Sequence, residues 1–149
     1  RVVCWDRRRE IIYDEAAVIG KYGVPPASIP DWLALVGDSA DGIPGIPGWG
    51  AKSAATVLAQ FGRIEAIPHD IAQWGIPAGR AHRLAETLAA QREQALLYRR
   101  LATLRRDVPL AESLDDLGWR GARGAFRQLC ADLGAQDLPG RIGRWMPAL

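Results

Sequence analysis

The stretch from Gly37 to Gly62 reads GDSADGIPGIPGWGAKSAATVLAQFG, and it constrains the fold more than any other part of the chain. From Gly42 to Gly50 it carries four glycines and two prolines. Glycine opens left-handed backbone and close approach, while proline fixes φ and removes a donor, so these nine residues suit neither a helix interior nor a central strand. They predict a tight connection. Behind it Ala54, Val57, Leu58 and Phe61 recur at i, i+3, i+4 and i+7, with Gly62 as a left-handed stop, which predicts an amphipathic helix opening at Ala51. Ahead of it Ile29 to Val36 predicts a largely buried helix, with Ser28 as N-cap, Pro30 in the first turn and Asp31 completing a variant capping box.

Two carboxylates, Asp38 and Asp41, stand at the head of this connection. On a helical turn an i, i+3 pair shares one face, with Cβ atoms roughly 5–6 Å apart. A hard cation such as Mg²⁺ suits one or two such carboxylates completed by water and phosphate oxygens. The spacing equally fits a cap at Asp38 with Asp41 solvated. The twelve-residue, glutamate-terminated pattern of a calcium loop is absent. At the other end, free N–H groups and the positive dipole end of the helix from Ala51 point to a place for a phosphate, with Lys52 and the Ser53 hydroxyl on the first turn. An ordinary helix–turn–helix corner explains the same residues. Trp49 reads as a core plug in preference to a base-stacking residue.

Around this centre, Val2 to Trp5 and Arg9 to Tyr13 predict a β-hairpin, an element only marginally stable alone and therefore expected to have belonged to a larger sheet. Asp14 caps a helix to Tyr22, stopped by Gly23. Residues 63–77 read as short turns. A long helical segment from Gly79 to about Leu104 follows, bending near Gln94, its polar face carrying Arg80, Arg83, Arg92, Arg99 and Arg100. Val108 to Leu110 is extended, Ser113 caps a turn over Leu114 to Leu117, and Phe126, Leu129, Cys130 and Leu133 mark a last helix ended by Gly134. The tail is irregular, docked through Trp145 and Met146. The resulting expectation is a mainly helical chain in three parts: the hairpin over 1–13, the helical region over 14–110 and a C-terminal extension over 111–149.

With 48% hydrophobic and 24% charged residues, the composition predicts a folded core rather than disorder. No apolar run reaches the roughly eighteen residues of a membrane span, and the start lacks the pattern of a secretory signal, so a cytoplasmic protein is expected. Cys4 and Cys130, without metal-type spacing, are expected as free thiols. The net charge of +2 is too small to identify a nucleic-acid partner. His69 and His82 have neither a zinc framework nor a nucleophile at recognisable spacing. Arg99, Arg100, Arg105 and Arg106 fit phosphate contacts and a solvated helix face equally well.

Residues Gly37 to Ala54 closely resemble the helix–hairpin–helix signature of the 5′→3′ exonuclease and flap endonuclease family. The likeness continues through Tyr22 to Pro26, Asp31 to Val36, Phe61-Gly62, Leu101 to Leu104 and Asp107 to Leu110, and fades beyond about residue 120. The resemblance implies the C-terminal part of an α/β 5′ nuclease, in which Asp38 and Asp41 bind the second metal of a two-metal site, Mg²⁺ or Mn²⁺. It maps a grip on the duplex backbone onto Gly45, Gly48, Gly50, Lys52 and Ser53, with K⁺ on hairpin carbonyls. It implies as substrate duplex DNA with a 5′ end or flap, hydrolysed by a monomer that works with a polymerase. Gly42 departs from the family's usual asparagine, and Trp49 from a smaller aliphatic residue. The family's first-metal acidic cluster and strand-threading arch have no counterpart in this sequence, so the chain alone is expected to bind duplex DNA weakly and to cut it poorly. The alternative is a non-catalytic helix–hairpin–helix DNA-binding module.

Overall fold

A computed structural model describes residues 3–147. The chain divides into two compact units, Arg1–Arg105 and Arg106–Leu149. The architecture is mainly helical with a two-stranded antiparallel hairpin, as the sequence predicts. Strands β1 (Cys4–Asp6) and β2 (Ile11–Tyr13) pair Trp5 with Ile12. Val2, part of the first predicted strand, lies outside the described residues. The Asp6 carboxylate accepts from the N–H groups of Arg8 and Arg9 and shapes the turn between the strands. Trp5 and Ile12 are both more than half exposed, so the hairpin's apolar side chains bury little.

Helix α1 (Glu15–Tyr22) starts where the Asp14 carboxylate accepts the Ala17 N–H at 2.9 Å and stops at Gly23, φ 73°. Helix α2 (Ile29–Val36) starts differently from the prediction. A 3₁₀ turn, Pro26–Ser28, runs straight into it, so Ser28 already has helical backbone and its hydroxyl caps nothing. Asp31 is correspondingly released from the capping role and faces the interior, 3% exposed. Its Oδ1 accepts the Ile64 N–H at 3.0 Å and a guanidinium N–H of Arg99 at 3.4 Å. Arg99 also pairs with Glu65. It is therefore a structural tie, held by two carboxylates while its side chain stays 27% exposed.

Helix α3 (Ala51–Phe61) ends at Gly62, φ 75°, as its periodicity predicts. The long helical segment divides at Gln91, three residues earlier than expected, into α4 (Ala78–Ala90) and α5 (Arg92–Ala102). Gln91 takes φ −123°, ψ 29°, which turns the second helix so that its buried Ala95 joins the same core as Leu84 and Leu88. Helix α2 packs on α3 and α5, and α4 packs on the 3₁₀ turn Ile71–Trp74. Val24, Leu35, Val57, Leu58, Ile64 and Trp74 form the centre of the core.

In the second unit a 3₁₀ turn, Leu114–Leu117, begins where the Ser113 hydroxyl and N–H both donate to Asp116. Helix α6 (Ala125–Asp132) follows. The tail docks on it as predicted: Ala122 bridges to Trp145, whose ring lies 3.8 Å from the Arg127 guanidinium and 6.4 Å from the Phe126 ring. Cys4 is exposed, Cys130 buried, and both are free thiols. Among the described residues no helix is long and apolar enough to cross a membrane.

Candidate nucleic-acid interface

The connection between α2 and α3 is built from two successive turns. The first is a loop closed by a backbone pair, with Asp38 and Ile43 exchanging N–H···O bonds of 2.8 Å in both directions. Within it Asp38 Oδ1 accepts from the N–H of Ala40 at 2.9 Å and of Asp41 at 3.3 Å. This side-chain turn, rather than the helical turn expected from the i, i+3 spacing, relates the two carboxylates. The α2 helix has already ended at Gly37, so the ladder needed for a helical pair is gone. Gly42 closes the loop at φ 71°. That is the left-handed region asparagine also tolerates, so glycine at this position preserves the turn. Asp41 is exposed, and among the described residues its carboxylate has no hydrogen-bond donor or cationic partner.

These two carboxylates fit a hard cation in part. Asp38 is oriented by its two amides, and Asp41 is free to ligate. Among the described residues, no group of three or more His, Cys, Asp or Glu lies together to hold a metal ion. Two carboxylates suffice for Mg²⁺ only when water or phosphate oxygens complete its shell.

The second turn, Pro44 to Gly50, is pinned from beneath. Gly37 and Gly45 cross so closely that a Cβ on Gly45 would lie 2.7 Å from the Val36 carbonyl and the Gly37 nitrogen, and one on Gly37 would lie 2.8 Å from the Ile43 and Pro44 oxygens. Gly45 is therefore buried against the chain's own backbone. Ile46 donates its N–H to Leu35 at 2.8 Å, and Trp49 donates to Ile46 at 3.0 Å. Both side chains enter the core, where Trp49 Nε1 donates to the Leu84 carbonyl at 3.1 Å and the ring lies 5.7 Å from that of Trp74. Trp49 is thus a core plug. It leaves Gly48, φ 83°, exposed at the tip.

Gly50 then acts as the N-cap of α3 in extended backbone. Ser53 Oγ accepts its N–H at 3.3 Å, donates to its carbonyl at 3.1 Å, and accepts from Arg80 at 3.4 Å. Only 4% exposed, the Ser53 hydroxyl fixes the start of the helix instead of standing free for a ligand. The N–H groups of Ala51 and Lys52 have no acceptors among the described residues, and both residues are exposed.

In the sequence Arg80 and Arg83 lie on a polar helix face with no role of their own. The structure brings them to the hairpin. A cleft of about 390 Å³ is lined by Pro47, Gly48, Arg80, Arg83, Leu84 and Thr87. A second, of about 230 Å³, lies between Lys52, Thr56, Pro77 and Arg80. Their i, i+3 spacing was the available signal. What it lacked was the contact that carries α4 to the hairpin, the Trp49–Leu84 hydrogen bond across 35 residues.

The Asp31–Arg99–Glu65 tie stands apart from both turns. Burial pushes the Asp31 carboxyl above its usual value, against the pull of the Ile64 N–H and Arg99. The hydrogen bond from Arg99 holds Glu65 below the usual carboxylate range.

The chain is similar to DNA polymerase I of Bacillus caldotenax, 43% identical over 127 residues, which covers 85% of this chain and 14% of that protein. It is 36% identical over 132 residues to DNA polymerase I of Bacillus subtilis (strain 168), covering 88% and 14%. The Mycobacterium tuberculosis (strain ATCC 25618 / H37Rv) DNA polymerase I is 39% identical over 101 residues, covering 68% and 10%. The chain thus spans about 14% of the length of the first two relatives. A family model described as 5'-3' exonuclease, C-terminal SAM fold, matches residues 24–125, which hold both turns and helices α2 to α5. The chain belongs to the 5′–3′ exonuclease C-terminal SAM-fold family.

Proposed function

We propose that this chain is the DNA-gripping and second-metal part of a 5′→3′ exonuclease or flap endonuclease. The observation that carries the reading is the pairing, on one connection, of a core-anchored turn that leads to acceptor-free amides beside Lys52 with an exposed, unpartnered carboxylate. Ile46 and Trp49 hold the hairpin in the core. The exposed Gly48, the acceptor-free N–H groups of Ala51 and Lys52, and the Lys52 ammonium then meet a phosphate at a rigid helix start. Gly45 and Ser53 support that surface from within, and the extended Gly50 leaves open space where a Cβ would stand. Such contacts read no bases and take any duplex. K⁺ on main-chain oxygens would use this turn, where the Gly48 and Trp49 carbonyls accept no hydrogen bond among the described residues.

Asp38 and Asp41 would hold Mg²⁺ or Mn²⁺, with the remaining carboxylates supplied by residues outside this sequence. Bound there, the cation supplies charge neutralisation at a scissile phosphodiester. This chain's own part is to position: Asp38, fixed by two amides, sets the direction of approach, and the hairpin holds the duplex in register. The substrate is duplex DNA with a 5′ end or flap, handled by a monomer in the cytoplasm, alongside a polymerase activity such as the relatives' names describe.

One observation favours the alternative, a non-catalytic binding module: Asp38 Oδ1 is already engaged by two amides. Paramagnetic broadening by Mn²⁺ separates the two. The nuclease reading predicts selective loss of amide signals over residues 37–43, abolished in Asp38→Asn/Asp41→Asn, with duplex binding unchanged. Uniform broadening, or broadening that survives the double substitution, supports the binding module. With Mg²⁺ and a 5′-flap substrate, the chain alone should show no turnover above background. Cutting at a full-length relative's rate contradicts the division of carboxylates proposed here.

A further inference from the structure

We propose that Arg80 and Arg83, with the Pro47–Gly48 corner, hold a second backbone phosphate of duplex DNA beside the one at the start of α3. This inference rests on the duplex-gripping reading above and extends the grip from one helix terminus to a two-helix surface. Three observations carry it. The two arginines stand at i and i+3 on α4 and line one cleft of about 390 Å³, large enough for a phosphodiester and its waters. No carboxylate lines that cleft, and among the described residues neither arginine pairs with one. Arg99 on α5, by contrast, is held by Asp31 and Glu65.

The third observation is rigidity. Helix α4 is fixed to the hairpin by the Trp49–Leu84 hydrogen bond, and Leu84 is only 2% exposed. One wall of the cleft is therefore anchored in the core. Pro47 and Leu84 give it an apolar floor that strengthens charge-assisted hydrogen bonds above it. Guanidinium matches phosphate oxygens in a planar, two-pronged fashion, which suits arginine better than lysine here. Arg80 also borders the cleft beside Lys52, so one side chain joins the two phosphate positions.

The test is a fluorescence-anisotropy titration of the 149-residue chain with a labelled duplex of about 20 base pairs, from about 20 to 200 mM salt. Arg80→Gln/Arg83→Gln should weaken binding about tenfold at low salt and make the slope of log K against log salt shallower by about 1–2. Arg80→Lys/Arg83→Lys should keep that slope and lose only part of the affinity. Arg80 touches Ser53, so Arg83→Gln alone, at a side chain with no hydrogen-bond partner among the described residues, must lower the slope by about 1 even if the double variant unfolds. Wild-type slope and affinity in a folded Gln variant overturn this inference alone. Failure of the unsubstituted chain to bind duplex at the lowest salt overturns the gripping reading and this inference with it.

Discussion

Gly45 and Gly50 stand five residues apart in one turn and need glycine for opposite reasons. At Gly45, φ 74°, an added Cβ would meet backbone atoms at 2.7 Å that have nowhere to move. At Gly50, φ −135°, the backbone is one any residue adopts and no atom lies within 4 Å of an added Cβ. Gly45→Ala should therefore destabilise the chain by about 2–4 kcal/mol, combining overpacking with a left-handed penalty. Gly50→Ala should lose about 0.5–1 kcal/mol, as a poorer N-cap, while weakening duplex binding several-fold. Thermal unfolding and DNA titration of both variants check this. A larger loss of stability at Gly50 than at Gly45 would contradict the packing described. The need for glycine here was legible in the sequence, but the division of labour was not. Gly37 sits eight residues before Gly45, and only their crossing shows that the second fills space against the first.

Among the elements, α2 departs most from its reading. Ser28 and Asp31 have capping-box spacing, which is local information. The competing interactions come from Ile64 and Arg99, 33 and 68 residues away, and local spacing cannot report them. The burial of Asp31 leaves a pH signature. Its raised carboxyl opposes folding at neutral pH, and that opposition fades as pH falls through its folded value towards the ordinary 3.8. Glu65, held low, stabilises above its ordinary 4.5, and that contribution disappears as pH falls through its folded value. The two trends oppose each other. Between neutral pH and about pH 4, Asp31→Asn should lose stability more steeply than Glu65→Gln in denaturant titrations. The reverse order would contradict the tie. Helices α1 and α3 were read correctly because caps and periodicity are contained within each. The break at Gln91 was placed late because the apolar phase alone does not record where the backbone turns.

At the scale of the whole molecule, the sequence made the hairpin and its family legible while leaving half of the cationic surface unread. Lys52 was legible beside the glycines. Arg80 and Arg83 were not, because the surface is made by α4 folding back on the hairpin. The acidic loop and the cationic clefts occupy successive parts of one connection and the helix packed against it. In the proposed function such an arrangement would separate holding a phosphate from acting on one, and would make duplex affinity electrostatic and independent of base sequence. The most direct measurement is a salt titration of duplex binding by the unsubstituted chain and by Lys52→Ala. Equal affinity for unrelated duplex sequences is expected, with a log–log slope of about −2 to −3 that is reduced by about 1 in Lys52→Ala. Affinity insensitive to salt, or no binding at about 20 mM salt, would contradict the proposed grip.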